Sequence, residues 1–185
     1  MFKLIRWNPD LDLSDFYRRA AAKGFENNAN QQIMIDSLSK EDRWAAWILY
    51  YNDLAVGAVA AHSFPEMGEN SFRICARTCV LSDDLPLHHL RTKWGIIRHQ
   101  NYTAQFFIPA CVEWAGRDKD LYITSNESKS GSQRLVHEIF CPLLAKSGVL
   151  SKTKDIYYRG LTQTAWRLDV ELFFKQLDQF GRWVL

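Results

Sequence analysis

The chain has 185 residues, 47% apolar and 24% charged, with 23 basic and 21 acidic side chains and a formal net charge of +2. Such a chain has enough apolar material for one globular domain without disulfide or metal staples, which excludes a disordered chain, a collagen, a coiled coil and a protein that holds nucleic acid by bulk charge alone. The longest apolar run, Leu54–Ala61, falls far short of the roughly 20 residues a membrane span needs. With no signal-peptide core near Met1, the expectation is a cytoplasmic protein without membrane contact.

Phe2–Trp7 reads as a first strand, ended by the turn residues Asn8-Pro9-Asp10. Ser14 is placed to cap a helix that runs to Lys23 and closes at Gly24, and a second helix is expected over Asn30–Leu38. Trp44–Tyr51 and Leu54–Ser63 flank Asn52-Asp53, a hairpin signal. Ser71–Leu81 alternates Phe72, Ile74, Ala76, Thr78 and Val80 with Arg73, Cys75, Arg77 and Cys79, a third strand. A basic loop precedes a helix that contains Pro109 and ends at Gly116. Leu121–Thr124 is a short strand. Ser132–Ser147 is a helix bent at Pro142 and closed by Gly148. Asp155–Tyr158 and Thr162–Val170 are late strands, and a last amphipathic helix covers residues 170–180.

The order β α α β β β α β α β β α, with hairpins and a strand–helix–strand centre, implies an α/β mixed sheet of about six or seven strands with helices on both faces. Residues 1–185 form one domain, with the helix at 170–180 as an appendage. The strand near Leu121–Thr124 is expected to lie parallel to Ser71–Leu81.

This order, together with the hairpin Trp47–Val59, the strand-then-asparagine phrase Leu121-Tyr122-Ile123-Thr124-Ser125-Asn126 and the helix end Leu143–Val149, resembles the GNAT superfamily of acetyl-CoA-dependent N-acyltransferases. The resemblance implies acetyl-CoA or another acyl-CoA as donor, a small-molecule or protein amine as acceptor, direct attack of the amine on the thioester, no metal, and a monomer or homodimer. Where the superfamily carries a glycine-rich pyrophosphate loop, this chain has Arg91-Thr92-Lys93-Trp94-Gly95-Ile96-Ile97-Arg98, with one glycine. Where members often carry a tyrosine acting as general acid, it has Leu144. Arg77-Thr78-Cys79-Val80-Leu81, Asn101 and Thr103 are also loosely similar to the Mom-type DNA-modification transferases of phages, which implies a nucleobase-modifying enzyme of phage origin as an alternative.

Residues 85–112 contain no acidic side chain and interleave Arg91, Lys93, Arg98 and three histidines with Trp94, Tyr102, Phe106 and Phe107. Cations among flat rings suit a phosphorylated, stacking ligand. Arg91, Lys93, Trp94, Gly95 and Arg98 are therefore the candidate cofactor-binding residues. The alternative is a non-catalytic protein that holds nucleic acid or a protein partner through the same segment. Glu113 and His137 are candidate proton acceptors for an attacking amine, and Asn126 is a candidate hydrogen-bonding residue. Arg77, Tyr157 and Trp166 are candidates for lining the acceptor site.

Cys75, Cys79, Cys111 and Cys141 sit in apolar segments and are expected as free, packed thiols. A strand would hold Cys75 and Cys79 about 13 Å apart, too far to share an ion with His88 and His89.

Overall fold

The computed structural model describes residues 1–25, 29–81, 85–86, 100–127, 136–158 and 160–179. Its elements run in chain order as β1 (Phe2–Arg6), α1 (Ser14–Ala22), α2 (Gln31–Leu38), β2 (Trp44–Tyr51), β3 (Leu54–Ser63) and β4 (Ser71–Val80). A helix α3 follows, made of Gln100–Tyr102, Thr103–Phe107 and Ile108–Ala115. Then come β5 (Asp120–Ser125), a helix α4 made of Val136–Phe140 and Cys141–Lys146, β6 (Leu150–Tyr158), β7 (Leu161–Leu168) and α5 (Val170–Gln179). The sequence pattern anticipates this order.

One seven-stranded sheet carries the strands in the order β1-β2-β3-β4-β5-β7-β6. All neighbours are antiparallel except β4 and β5, which run parallel as expected. Asn52 and Asp53 both have positive φ, 47° and 63°, which matches the twist of a two-residue hairpin turn.

Two apolar layers cover the sheet. α1 and α2 bury Phe16, Tyr17, Ala20, Met34 and Leu38 on one face against Ile48, Ala58 and Ala60. The larger layer lies on the other face, where α3 contributes Phe107, Ile108 and Cys111, α4 contributes Phe140, Cys141 and Leu144, and α5 contributes Val170, Phe173 and Leu177. β3 is buried along both faces with small side chains, so helices approach it closely from either side. Fully burying one such phenylalanine contributes roughly 1.5–3 kcal/mol.

Ser14 does not cap α1. Leu13 occupies that position without a side-chain bond, and the Ser14 hydroxyl instead donates to Asp12 at 2.8 Å. Pro109 and Pro142 leave α3 and α4 continuous. Each follows a π-helical stretch by two residues, Thr103–Phe107 in α3 and Val136–Phe140 in α4. Proline donates no N–H and its ring crowds the carbonyl four residues back, and a locally widened helix accommodates both.

The alternation expected along β4 fails. The β3–β4 register slips between Ala58 and Ala60 and again between Ala60 and His62, with one extra residue in β4 each time. Cys75 and Arg77 take positive φ, 56° and 52°. Two bulges therefore turn successive side chains to unexpected faces. Phe72, Ile74 and Cys75 pack into the larger layer, whereas Ala76 and Cys79 pack under α1 and α2. Cys75 and Cys79 do not share a face, and Arg77 is drawn inward, its side chain 5% exposed.

Candidate functional site

β4 and β5 pair only through Ser71–Asp120, Phe72–Leu121 and Arg73–Tyr122. β4 then continues for seven residues toward Val80, while Ile123 to Ser125 of β5 pair with β7 on their other edge and not with β4. The two parallel strands separate into a wedge, and both bulges of β4 lie on its side. The Thr78 hydroxyl donates to the Cys75 carbonyl at 2.7 Å and ties the bulged segment together.

The β5 side of the wedge ends at Ser125 and Asn126. Ser125 is 1% exposed, and its Oγ collects three elements. Trp166 of β7 donates its indole N–H to Ser125 Oγ at 2.8 Å, and Nδ1 of His137 in α4 lies 3.0 Å from the same oxygen. The His137 ring is 22% exposed, with Nε2 turned toward Glu127 at 4.0 Å. Beside Ser125, the buried Oδ1 of Asn126 has no hydrogen-bond partner among the described residues.

Thiols line the neighbouring interior. The Cys75 thiol of β4 is held well above its usual range, first by the adjacent Cys111 thiol and then by burial. Burial pushes Cys141 up to about 12, against a smaller opposing effect of its hydrogen bond with Ser125. All four cysteines are unbridged, as expected. No group of histidine, cysteine and acidic residues among the described residues could hold a metal ion.

A second polar cluster crosses the sheet end on the α1–α2 face. Glu41 accepts from the Tyr158 hydroxyl at 2.8 Å and lies 3.4 Å from His62 Nδ1 and 3.9 Å from Arg77. Arg77 also donates to the Ser37 hydroxyl at 2.9 Å and to the Ser37 carbonyl. Arg73 stacks over Tyr158 at 4.9 Å and donates to Gln163, whose side-chain oxygen also accepts from Thr124 of β5. This network joins α2, β4, β5 and the β6–β7 hairpin across the opening.

Of the residues picked out in the sequence, His137, Asn126 and Trp166 converge at the end of β5. Arg77 belongs to the second cluster. Glu113 stands on the exposed side of α3, and Tyr157 is 76% exposed on β6. Arg91, Lys93, Trp94, Gly95 and Arg98 lie outside the described residues. Sequence reasoning passes over Ser125, Glu41 and His62. Ser125 closes an apolar strand and sits 41 residues from Trp166, so no local pattern marks the bond between them.

No family model and no curated protein matches the sequence. Solved structures do match its backbone. A GNAT-family structure from Desulfovibrio desulfuricans superposes with a TM-score of 0.57 over 92% of this chain and 99% of that one, at 14% identity. The chain has the GNAT fold. FeeM, an N-acyl amino acid synthase from uncultured soil microbes, matches over 98% of both chains with a TM-score of 0.57 and 11% identity. An aminoglycoside N-acetyltransferase matches over 94% of this chain and 99% of that one with a TM-score of 0.56 and 13% identity. Among the described residues, no helix of this GNAT fold is long and apolar enough to cross a membrane.

Proposed function

We propose that the protein transfers an acyl group from a coenzyme A thioester to an amine, by direct attack of the amine in the wedge between β4 and β5. The observation that carries this reading is the ladder that ends at Arg73 and Tyr122, beside a doubly bulged β4. Strand edges that part inside a sheet leave backbone donors without a ladder partner, and such donors suit a developing oxyanion. The structural neighbours include two N-acylating enzymes over nearly the whole chain.

The described residues fit the acyl end of such a donor. The buried, unpartnered Asn126 Oδ1 is an acceptor suited to an amide N–H. A bound acyl-CoA supplies an activated carbonyl. The chain's own groups do the rest. Backbone N–H groups along the bulged edge of β4 bind the carbonyl oxygen. Asn126 orients the donor's arm, and His137 serves the polar end of the wedge. Arg91, Lys93 and Arg98 are proposed to hold the phosphates, as charge-assisted donors do.

The test is acyl transfer itself. Purified protein, acetyl-CoA and a panel of primary amines are incubated together, and thiol release is followed alongside the mass of each amine. Acetylated amine formed in step with free thiol supports the reading. Thiol release without any acetylated product shows hydrolysis and contradicts it.

A further inference from the structure

The hydrogen-bond inventory around Ser125 fixes more than a packing arrangement. An indole N–H only donates, so Trp166 occupies Ser125 Oγ as an acceptor. A serine hydroxyl has one proton to give. At 1% exposure that proton does not reach bulk solvent. Among the described residues the acceptors recorded for it are His137 Nδ1 at 3.0 Å and the adjacent Cys141 thiol, and sulfur accepts far more weakly than an imidazole nitrogen. Were His137 to donate from Nδ1, Ser125 would accept twice and its own hydroxyl would be left to the thiol. The imidazole nitrogen is much the stronger acceptor, so the chain of donation runs Trp166 to Ser125 to His137.

A neutral imidazole that accepts at Nδ1 carries its proton at Nε2. Nε2 is the outward nitrogen, on the partly exposed side of the ring and facing Glu127. A carboxylate 4.0 Å away favours the same tautomer.

We propose that Trp166 and Ser125 are positioning residues that lock His137 as the Nε2–H tautomer, so that it serves the wedge as a hydrogen-bond donor and not as the base expected from sequence. In the acyl-transfer reading, the charge that such a donor would meet is the one developing on the departing sulfur. This rests on the acyl-transfer reading for its purpose, but not for its geometry. A neutral donor aimed where charge develops stabilises the transition state without a proton transfer. Removing one such donor typically costs about 100-fold or more in turnover. No earlier element of the sequence points here, because the tautomer is set by residues 12 and 29 positions from His137, Ser125 in β5 and Trp166 in β7.

The tautomer can be read without substrate. In ¹⁵N-labelled protein above the titration range of histidine, long-range proton–nitrogen correlation distinguishes a pyrrole-type from a pyridine-type ring nitrogen, and His137→Gln assigns the signals. The expected result is a protonated Nε2 and a bare Nδ1 in the wild type. Ser125→Ala should shift both signals toward those of a mixture of tautomers, and Ser125→Thr, which keeps the hydroxyl, should restore the wild-type pattern. A wild-type ring protonated at Nδ1 overturns the proposal, as does a Ser125→Ala spectrum that still shows only the Nε2–H form.

Turnover gives the second reading. His137→Leu, which has no donor, should lower kcat about 100-fold with KM for acetyl-CoA little changed, and Ser125→Ala should lower kcat by a smaller factor that Ser125→Thr recovers. An unchanged kcat in His137→Leu overturns the role at the sulfur. Failure of acyl transfer in the wild type is a separate outcome: it removes the reading of the wedge, while the nitrogen spectrum still decides the tautomer.

Discussion

Arg73 and Tyr122 form the last pair of the parallel ladder between β4 and β5, and from that pair onward the sheet is open. The same two residues anchor the polar network on the α1–α2 face, through the Arg73 stack on Tyr158 and the packing of Tyr122 with Phe64 and Tyr158. The opening is therefore braced at its apex. Its upper side is shaped by the two bulges, which hydrogen bonds of their own residues hold in place.

One of those bonds is the Thr78 hydroxyl to the Cys75 carbonyl. Thr78→Val keeps the shape and removes the donor. The expected loss is about 1 kcal/mol in urea unfolding, together with weaker acetyl-CoA binding in calorimetry. Wild-type affinity in this variant would show that the tie does not shape the wedge.

Gly57 separates β3 from both β4 and α3. A Cβ at this position would meet the Cys79 carbonyl oxygen at 3.0 Å and the Phe107 ring at 3.1 Å. Gly57→Ala is expected to destabilise by about 1–3 kcal/mol, the usual range for an overpacked core. The midpoint of urea unfolding should fall while its slope stays constant.

Glu41 is the carboxylate shared by Tyr158, His62 and Arg77. Tyr158→Phe removes one hydrogen bond and should cost about 1 kcal/mol. Glu41→Ala removes the charge facing a guanidinium that is 5% exposed and should cost roughly 3–5 kcal/mol. A double-mutant cycle between the two positions should return a clear coupling energy. Additive effects would mean that the network is not one unit.

Burial raises the Cys79 thiol, and raises Cys141 from 9.0 to about 12. The folded pKa lies above the unfolded one, so the unfolded chain gives up these protons first. The stability contributed is full below pH 9 and is lost as pH climbs toward 12. The slope in that window should approach about 1.4 kcal/mol per pH unit for each such thiol. Guanidinium unfolding across pH 8 to 11 checks this, and Cys141→Ala should flatten the decline.

Much of this fold is legible in the sequence. Asn52-Asp53 marks the hairpin, and β2 and β3 run over the segments Trp44–Tyr51 and Leu54–Ser63 that flank it. β4 is legible as a strand but not in its facing, because a bulge inserts a residue without changing composition. The Cys75 and Arg77 backbones show the cost of that insertion in their positive φ. β6 begins at Leu150, five residues before the strand expected at Asp155, since Ser151 to Asp155 are exposed and polar on the sheet's outer edge and carry no apolar signal. The site is legible only in part. His137, Asn126 and Trp166 stand out as chemistry-bearing residues, but Ser125, which gathers His137 and Trp166, looks from the sequence like any strand-ending serine.

Isothermal titration with acetyl-CoA tests the central claim most directly. A wedge that holds the thioester should give saturable binding at one site per chain, with little dependence on salt and a weaker Kd in Asn126→Ala. No heat at high micromolar acetyl-CoA, with duplex DNA bound instead at an affinity that falls steeply with salt, would contradict it.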